Sequence, residues 1–188
     1  KPRTSGPVKG GSISRRYLQG SSKVRKVLRY YDTFTLDAGA IGTPVTHNFV
    51  ANGCYDPDAT IGGHQPRGFD QYMAMYDHYT VTKATARVYF DNNAEPSGML
   101  GVLSVRDGNV PIITQTGQME YGLKTVAMLS SAGTGGGQGS MRSAGIAVDI
   151  GKFLGVKDVL AGREYSGNST SNPSEEVVFQ VAVFPINT

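Results

Sequence analysis

The residues able to do chemistry in this 188-residue chain are few and widely spaced. His47, His64 and His78 stand apart, without the HxH-plus-Glu grouping that a metal-dependent enzyme of β-barrel type would need, and structural roles are expected for them. The glycine run at residues 133–140 (GTGGGQGS) lacks the Lys-Ser/Thr that completes a phosphate loop, and no GxSxG nucleophile elbow occurs. Cys54, the single cysteine, has no neighbour in sequence that would activate it, and one cysteine makes no intramolecular disulfide. Asp56-Pro57-Asp58 offers two carboxylates to a hard cation such as calcium, which takes about six or more oxygens. Two acids in a proline turn more often cap the turn, so Asp56 and Asp58 are weak metal candidates. Asn168-Ser169-Thr170 is a formal glycosylation sequon with no secretory context. Catalysis is not expected, and no cofactor is implied.

Charge is the stronger signal. Lys1, Arg3, Lys9, Arg15, Arg16, Lys23, Arg25, Lys26 and Arg29 all precede the first acid, Asp32, whereas the rest of the chain sets nine bases against 15 acids. The net charge of +3 hides this separation. Residues 1–23 are rich in Gly, Ser and Pro and poor in large apolar groups, so they are expected to form a flexible basic arm seeking an anionic partner. Lys and Arg spaced by Gly and Ser suit a phosphate backbone, and Tyr17, Tyr30 and Tyr31 add aromatic surfaces for base stacking. A solvated tail or a nuclear-import signal at Arg15-Arg16 and residues 23–26 is the plainer alternative, and both can hold. The chain begins at Lys1, as expected of numbering that starts inside a longer or processed product. The apolar stretch at residues 98–105 is far shorter than the ~20 residues that span a bilayer, and no secretory leader opens the chain, so no membrane association is expected.

Behind these residues lies a β-rich body. Residues 24–36 alternate Leu28, Tyr30, Phe34 and Leu36 against Arg25, Arg29, Thr33 and Thr35, which predicts a long strand whose arginines face away from the core. Further strands are predicted over 44–51, 78–91, 98–106, 123–130, 141–150 and 176–184, with a helical turn in 152–159. Residues 52–68, 107–122 and 131–140 read as exposed loops. Phe69, Tyr72, Met73 and Tyr76 recur at helical spacing and predict a short amphipathic helix. Glycine at 25 of 188 residues and the lack of a βαβ rhythm point to an all-β sandwich or barrel.

The run from Gly63 through His64, Gln65, Pro66, Arg67, Gly68, Phe69, Asp70, Gln71 and Tyr72, continuing to His78, Tyr79 and Val81, resembles the GHQP-x-GFDQ-Y…Y-x-HY-x-V stretch of capsid proteins from circular, Rep-encoding single-stranded DNA viruses. The basic arm, the YDTFTL ending of the first strand and the late NPSEEVVFQV pattern match as well, so the resemblance extends loosely over residues 23–186.

That resemblance implies a single jelly roll of strands B to I in two facing antiparallel sheets, with the short helix in the C–D connection. It implies a 24–188 shell domain assembling into a small T=1 icosahedral shell, with the arm inside on the genome. Lys9, Arg15, Arg16, Lys23, Arg25, Lys26 and Arg29 would hold packaged single-stranded DNA. His64, Gln65, Pro66, Phe69, Tyr72 and Tyr76 would serve packing or subunit contact. The expected partners are further copies of the chain and the nucleic acid, in the virion and, during assembly, in the host nucleus. Seven strands map to B through H. Relatives usually continue past the position of Thr188 into a final strand, so either the chain stops ahead of it or residues 110–116 take its place. An RNA-virus or satellite capsid, and a nonviral jelly-roll carbohydrate-binding domain, are the alternatives.

Overall fold

A computed structural model describes residues 22–38, 41–60, 62–92, 98–108, 110–130 and 141–186. The chain runs β1 (Val45–Val50), α1 (Phe69–Met73), β2 (Tyr79–Thr80), β3 (Lys83–Phe90), β4 (Met99–Asp107), α2 (Gln115–Glu120), β5 (Lys124–Leu129), β6 (Arg142–Asp149), α3 (Ile150–Leu154), β7 (Ser166–Gly167) and β8 (Val177–Pro185). It is mostly β, in antiparallel sheets with a few short helices, as the sequence pattern predicts.

One sheet has the order β1-β8-β4-β5. β4 and β8 are its central strands, and their runs MLGVLSV and VVFQVAVFP are almost wholly buried, as expected of strands covered on both faces. β3 pairs with β6 in a second layer, from Lys83 opposite Asp149 to Phe90 opposite Arg142. These two strands alternate exposed residues with half-buried ones on β3 and buried ones on β6, because only one of their faces meets the core. Between the layers, Val177, Phe179, Val181 and Val183 of β8 and Met99, Leu103 and Val105 of β4 meet Phe90, Ala144, Ile146 and Val148. Gly101 makes room for Phe90: a Cβ there would stand 2.9 Å from its ring.

Residues 24–36 depart from expectation. No strand forms among residues 22–38, although alternation persists: Leu28, Tyr30, Phe34 and Leu36 are half-buried, while Arg25, Arg29, Thr33 and Thr35 are exposed. Period two reports which face meets the core, whereas a strand also needs a hydrogen-bonding neighbour. Here a groove of about 2330 Å³ lies beside the segment, bordered on another side by β3 and floored by Phe179, Val181 and Val183. The direction of the segment follows from its rings. Tyr30 tilts against Phe49 at 6.1 Å and Phe34 stacks on His47 at 4.2 Å, so the segment runs antiparallel to β1. Phe90 lies by Gly101, which pairs with Val183, itself the partner of Val45. The segment and β3 therefore run toward the same end of the sandwich.

Residues 110–116 supply no eighth strand. They lead into α2, where the Thr114 hydroxyl caps the helix by accepting the Gly117 N–H at 3.2 Å. This region is also less free than the exposed loop predicted over 107–122, because Gln180, fully buried on β8, holds it down. Its Oε1 accepts from Gln118 Nε2 at 2.9 Å, from the Ile112 N–H at 3.2 Å and from Arg106 Nη1 at 3.3 Å. The helical turn predicted in 152–159 is α3, which begins slightly earlier because Asp149 caps it through the Lys152 N–H and Gly155 ends it at φ 69°. The predicted helix over Phe69–Tyr76 is regular only through Met73.

Replacing Gln180 with Met keeps approximate volume but orphans three donors, one of them on a buried guanidinium. The expected cost is about 3 kcal/mol, read as a lower midpoint in urea unfolding. An unchanged midpoint would show that water or other groups satisfy those donors.

Candidate assembly and nucleic-acid surfaces

The GHQP segment is built around one buried ring. Gly68 sits at φ 91°, a left-handed conformation open to glycine, and turns the chain into α1. Phe69 is buried and meets Tyr79 edge-on at 5.4 Å. Pro66 is buried too, while Gln65, Tyr72 and Tyr76 are half-buried. His64 is exposed and stacks on Tyr30 at 4.6 Å, tying the segment to the chain that follows the arm. Of the six predicted packing residues, Pro66 and Phe69 thus pack inside the subunit, and His64, Gln65, Tyr72 and Tyr76 retain exposed surface.

Tyr79 organises the loop beyond. Its hydroxyl accepts the N–H groups of Cys54 at 2.9 Å and Tyr55 at 3.2 Å and donates to Asn172 Oδ1 at 3.2 Å. Asn172 in turn accepts from the Tyr55 and Asp56 N–H groups and donates to the Asp56 carbonyl at 2.6 Å. Burial pushes the Tyr79 phenol up to about 12, so it remains a neutral donor and acceptor throughout the physiological range. The same burial pushes Cys54 up to about 11, which leaves its thiol protonated and a poor nucleophile. Tyr79 and Asn172 each lie in a stretch that carries the resemblance, but their contact has no signature in the sequence, because the two are joined only by folding.

Asp56 and Asp58 point to separate tasks. Asp58 is buried against His47, Oδ2 to Nε2 at 2.9 Å, and its other oxygen accepts the Thr60 N–H at 2.9 Å. Asp56 accepts the Gly63 N–H at 3.3 Å. Among the described residues no three His, Cys, Asp or Glu side chains converge on a point where a metal would sit. Residues 57–59 instead lie along β1, with Val50 N–H donating to the Pro57 carbonyl and Ala59 N–H to the Asn48 carbonyl. Asn52 joins the same loop to β8, donating to the Glu175 carbonyl at 2.7 Å and accepting the Val177 N–H at 2.9 Å.

Of the predicted nucleic-acid residues, Lys23, Arg25, Lys26 and Arg29 are exposed. Lys9, Arg15 and Arg16, with most of the expected arm, lie outside the described residues, as does the loop at 131–140. Asp32, the first acid, is held below the usual carboxylate range by the Tyr30 hydroxyl at 2.9 Å and the Thr33 N–H at 2.7 Å. Its charge is therefore spent locally, next to the basic run. No helix among the described residues is long and apolar enough to cross a membrane. Compared with known families, curated proteins and solved structures, the chain matches none of them.

Two tests follow from this loop. Tyr79→Phe leaves the Cys54 N–H without its acceptor and the Tyr55 N–H with Asn172 Oδ1 alone, and the expected loss is about 1–3 kcal/mol in urea unfolding; an unchanged stability would mean the hydroxyl is dispensable. Glu176, at the foot of β8, has its carboxyl raised by burial and by Asp56. A raised folded value adds stability that is present in acid and lost as pH rises through it. Glu176→Gln is therefore expected to raise the melting temperature at pH 7 and to leave it unchanged at about pH 3; the reverse pattern would contradict the assignment.

Proposed function

We propose that the chain is the coat protein of a small single-stranded DNA virus, folded as a jelly roll that assembles into a T=1 icosahedral shell and packages its genome through the basic N-terminal segment. The observation that carries the fold is the sheet order. With residues 24–36 counted as the first strand and the two-residue β2 and β7 set aside, β1, β8, β4 and β5 are the second, seventh, fourth and fifth strands in one sheet. The third and sixth, β3 and β6, form the other. Such interleaving of distant strands supports a jelly roll built from two Greek keys. The groove between residues 24–36 and β3 is where an eighth strand fits. Its neighbours run in one direction, so a strand between them is antiparallel to both.

Function rests on the basic segment and on the GHQP resemblance. Lys23, Arg25, Lys26 and Arg29 are exposed, with no acid before Asp32. Phosphates along a strand neutralise such a row without sequence readout, and each contact releases counterions. His64 stacked on Tyr30 joins the GHQP loop to the root of this segment, so the surface that carries Tyr72 and Tyr76 is fixed relative to the basic row. Repeated copies of a rigid body with basic segments on one side form a shell around an anionic interior.

The test compares the full chain with one lacking residues 1–23 by sedimentation and by absorbance at 260 and 280 nm, before and after deoxyribonuclease or ribonuclease. The full chain is expected to sediment as one large particle with excess 260 nm absorbance. The shortened chain, which keeps Arg25, Lys26 and Arg29, is expected to carry less of that excess. Monomers from both chains, with no absorbance excess, would overturn the proposal; material sensitive only to ribonuclease would overturn the assignment to DNA.

A further inference from the structure

The outer face of the second layer carries a pattern that the basic arm does not account for. On β3, Ala84, Ala86, Val88 and Phe90 pack into the core, and Lys83, Thr85, Arg87 and Tyr89 are exposed. On the preceding segment, Phe34, Leu36 and Ala38 pack into that same core, while Arg25, Arg29 and Tyr31 are exposed. Phe34 packs on His47 and Phe49 of β1 and Phe90 on Gly101 of β4, all on one face of the four-stranded sheet, so the segment and β3 cover the same face and both outward sets point away from it. Tyr31 is 76% exposed and Tyr89 59%, so each ring has an open face.

Beside β3 the floor is low. Thr85, Arg87 and Tyr89 stand opposite Ala147, Gly145 and Ser143 of β6, so the long side chains rise above a strip of small residues. Arg87 lies over Gly145, where a Cβ would come within 4.0 Å of its Nε. The charges on this face are also available. Lys83 is engaged by Asp149 at 3.7 Å, but among the described residues no ion pair takes Arg25, Arg29 or Arg87.

We propose that this face is a second contact for single-stranded DNA, with Arg29 and Arg87 on phosphates and Tyr31 and Tyr89 stacking on bases. The inference rests on the coat-protein reading and extends it from the arm to the body. Stacking on an open tyrosine needs an unpaired base with a free π-face, which a duplex does not offer. The face therefore selects single strands, whereas a flexible row of bases binds any polyanion. It also aligns the packaged strand with the subunit, because both tyrosines belong to the packed layer.

Binding of the full chain to a fluorescein-labelled oligothymidylate, followed by anisotropy over a range of salt, tests this directly. The double variant Tyr31→Ala, Tyr89→Ala is expected to bind at least about thirtyfold more weakly with an unchanged log–log salt slope, since stacking releases no counterions. Arg87→Gln is expected to lower the slope by about 0.7. Tyr31→Phe with Tyr89→Phe should bind as the native chain does, as should the control Thr85→Ala, and equal melting temperatures show that the variants fold. Native-like binding by the double alanine variant, alongside loss of binding on removal of residues 1–23, would overturn the second contact and leave the coat-protein reading intact. If the native chain forms no shells and binds no oligonucleotide, both fall together.

Discussion

β8 is hydrogen-bonded along both edges and buried on both faces, so each layer of the molecule is positioned by reference to it. Val177, Phe179, Val181 and Val183 point into the central core, while Ala182 and Phe184 join Leu100 and Val102 in a second cluster behind the sheet. Gln180 interrupts the second face with an amide, and a buried amide has to be satisfied. That requirement fixes α2 and the chain around Ile112. At its start, β8 is joined through Asn52 to the loop that follows β1, and this loop in turn hangs on Tyr79 and Asn172. The last regular strand in the chain thus determines where the connections around both ends of the sandwich lie.

The second layer is held differently. Among the described residues β3 and β6 pair only with each other, and residues 22–38 touch the body through rings and aliphatic groups rather than through a ladder. Phe34 on His47 and Tyr30 on His64 fasten this segment to β1 and to the GHQP loop. Below them, His47 is anchored by Asp58. A basic segment rooted this way leaves the body at a defined place even where its own backbone lacks ladder partners. The surface positions of Arg25, Arg29 and Tyr31 follow from that root, and those of Arg87 and Tyr89 from the pleat of β3.

Much of this architecture is legible in the sequence, and the limits have physical causes. β1, β3, β4, β5, β6 and β8 fall close to their predicted ranges because each has either continuous apolar character or clean alternation. Residues 24–36 mislead because alternation records burial, and burial can be met without a hydrogen-bonded neighbour. β2 and β7 are two residues each, too short for any period. α2 escapes notice because its buried residue is Gln118, a polar side chain whose partner lies on a strand 62 residues away. The Tyr79–Asn172 contact spans 93 residues and has no local signature. Of the surfaces, the charge of the basic row needs only counting. The exposure of Tyr31 and Tyr89 on one side needs the fold, since it depends on two segments packing on the same face of the four-stranded sheet.

The central claim is that copies of this body close into a shell with their basic side turned inward. An electron cryo-microscopy reconstruction of particles formed by the full chain tests it most directly. The account predicts T=1 icosahedral symmetry, with the face bearing Arg29, Arg87 and Tyr89 lining the interior beside density for nucleic acid. Particles with that face on the outer surface, or a chain that forms no closed particle, would contradict it.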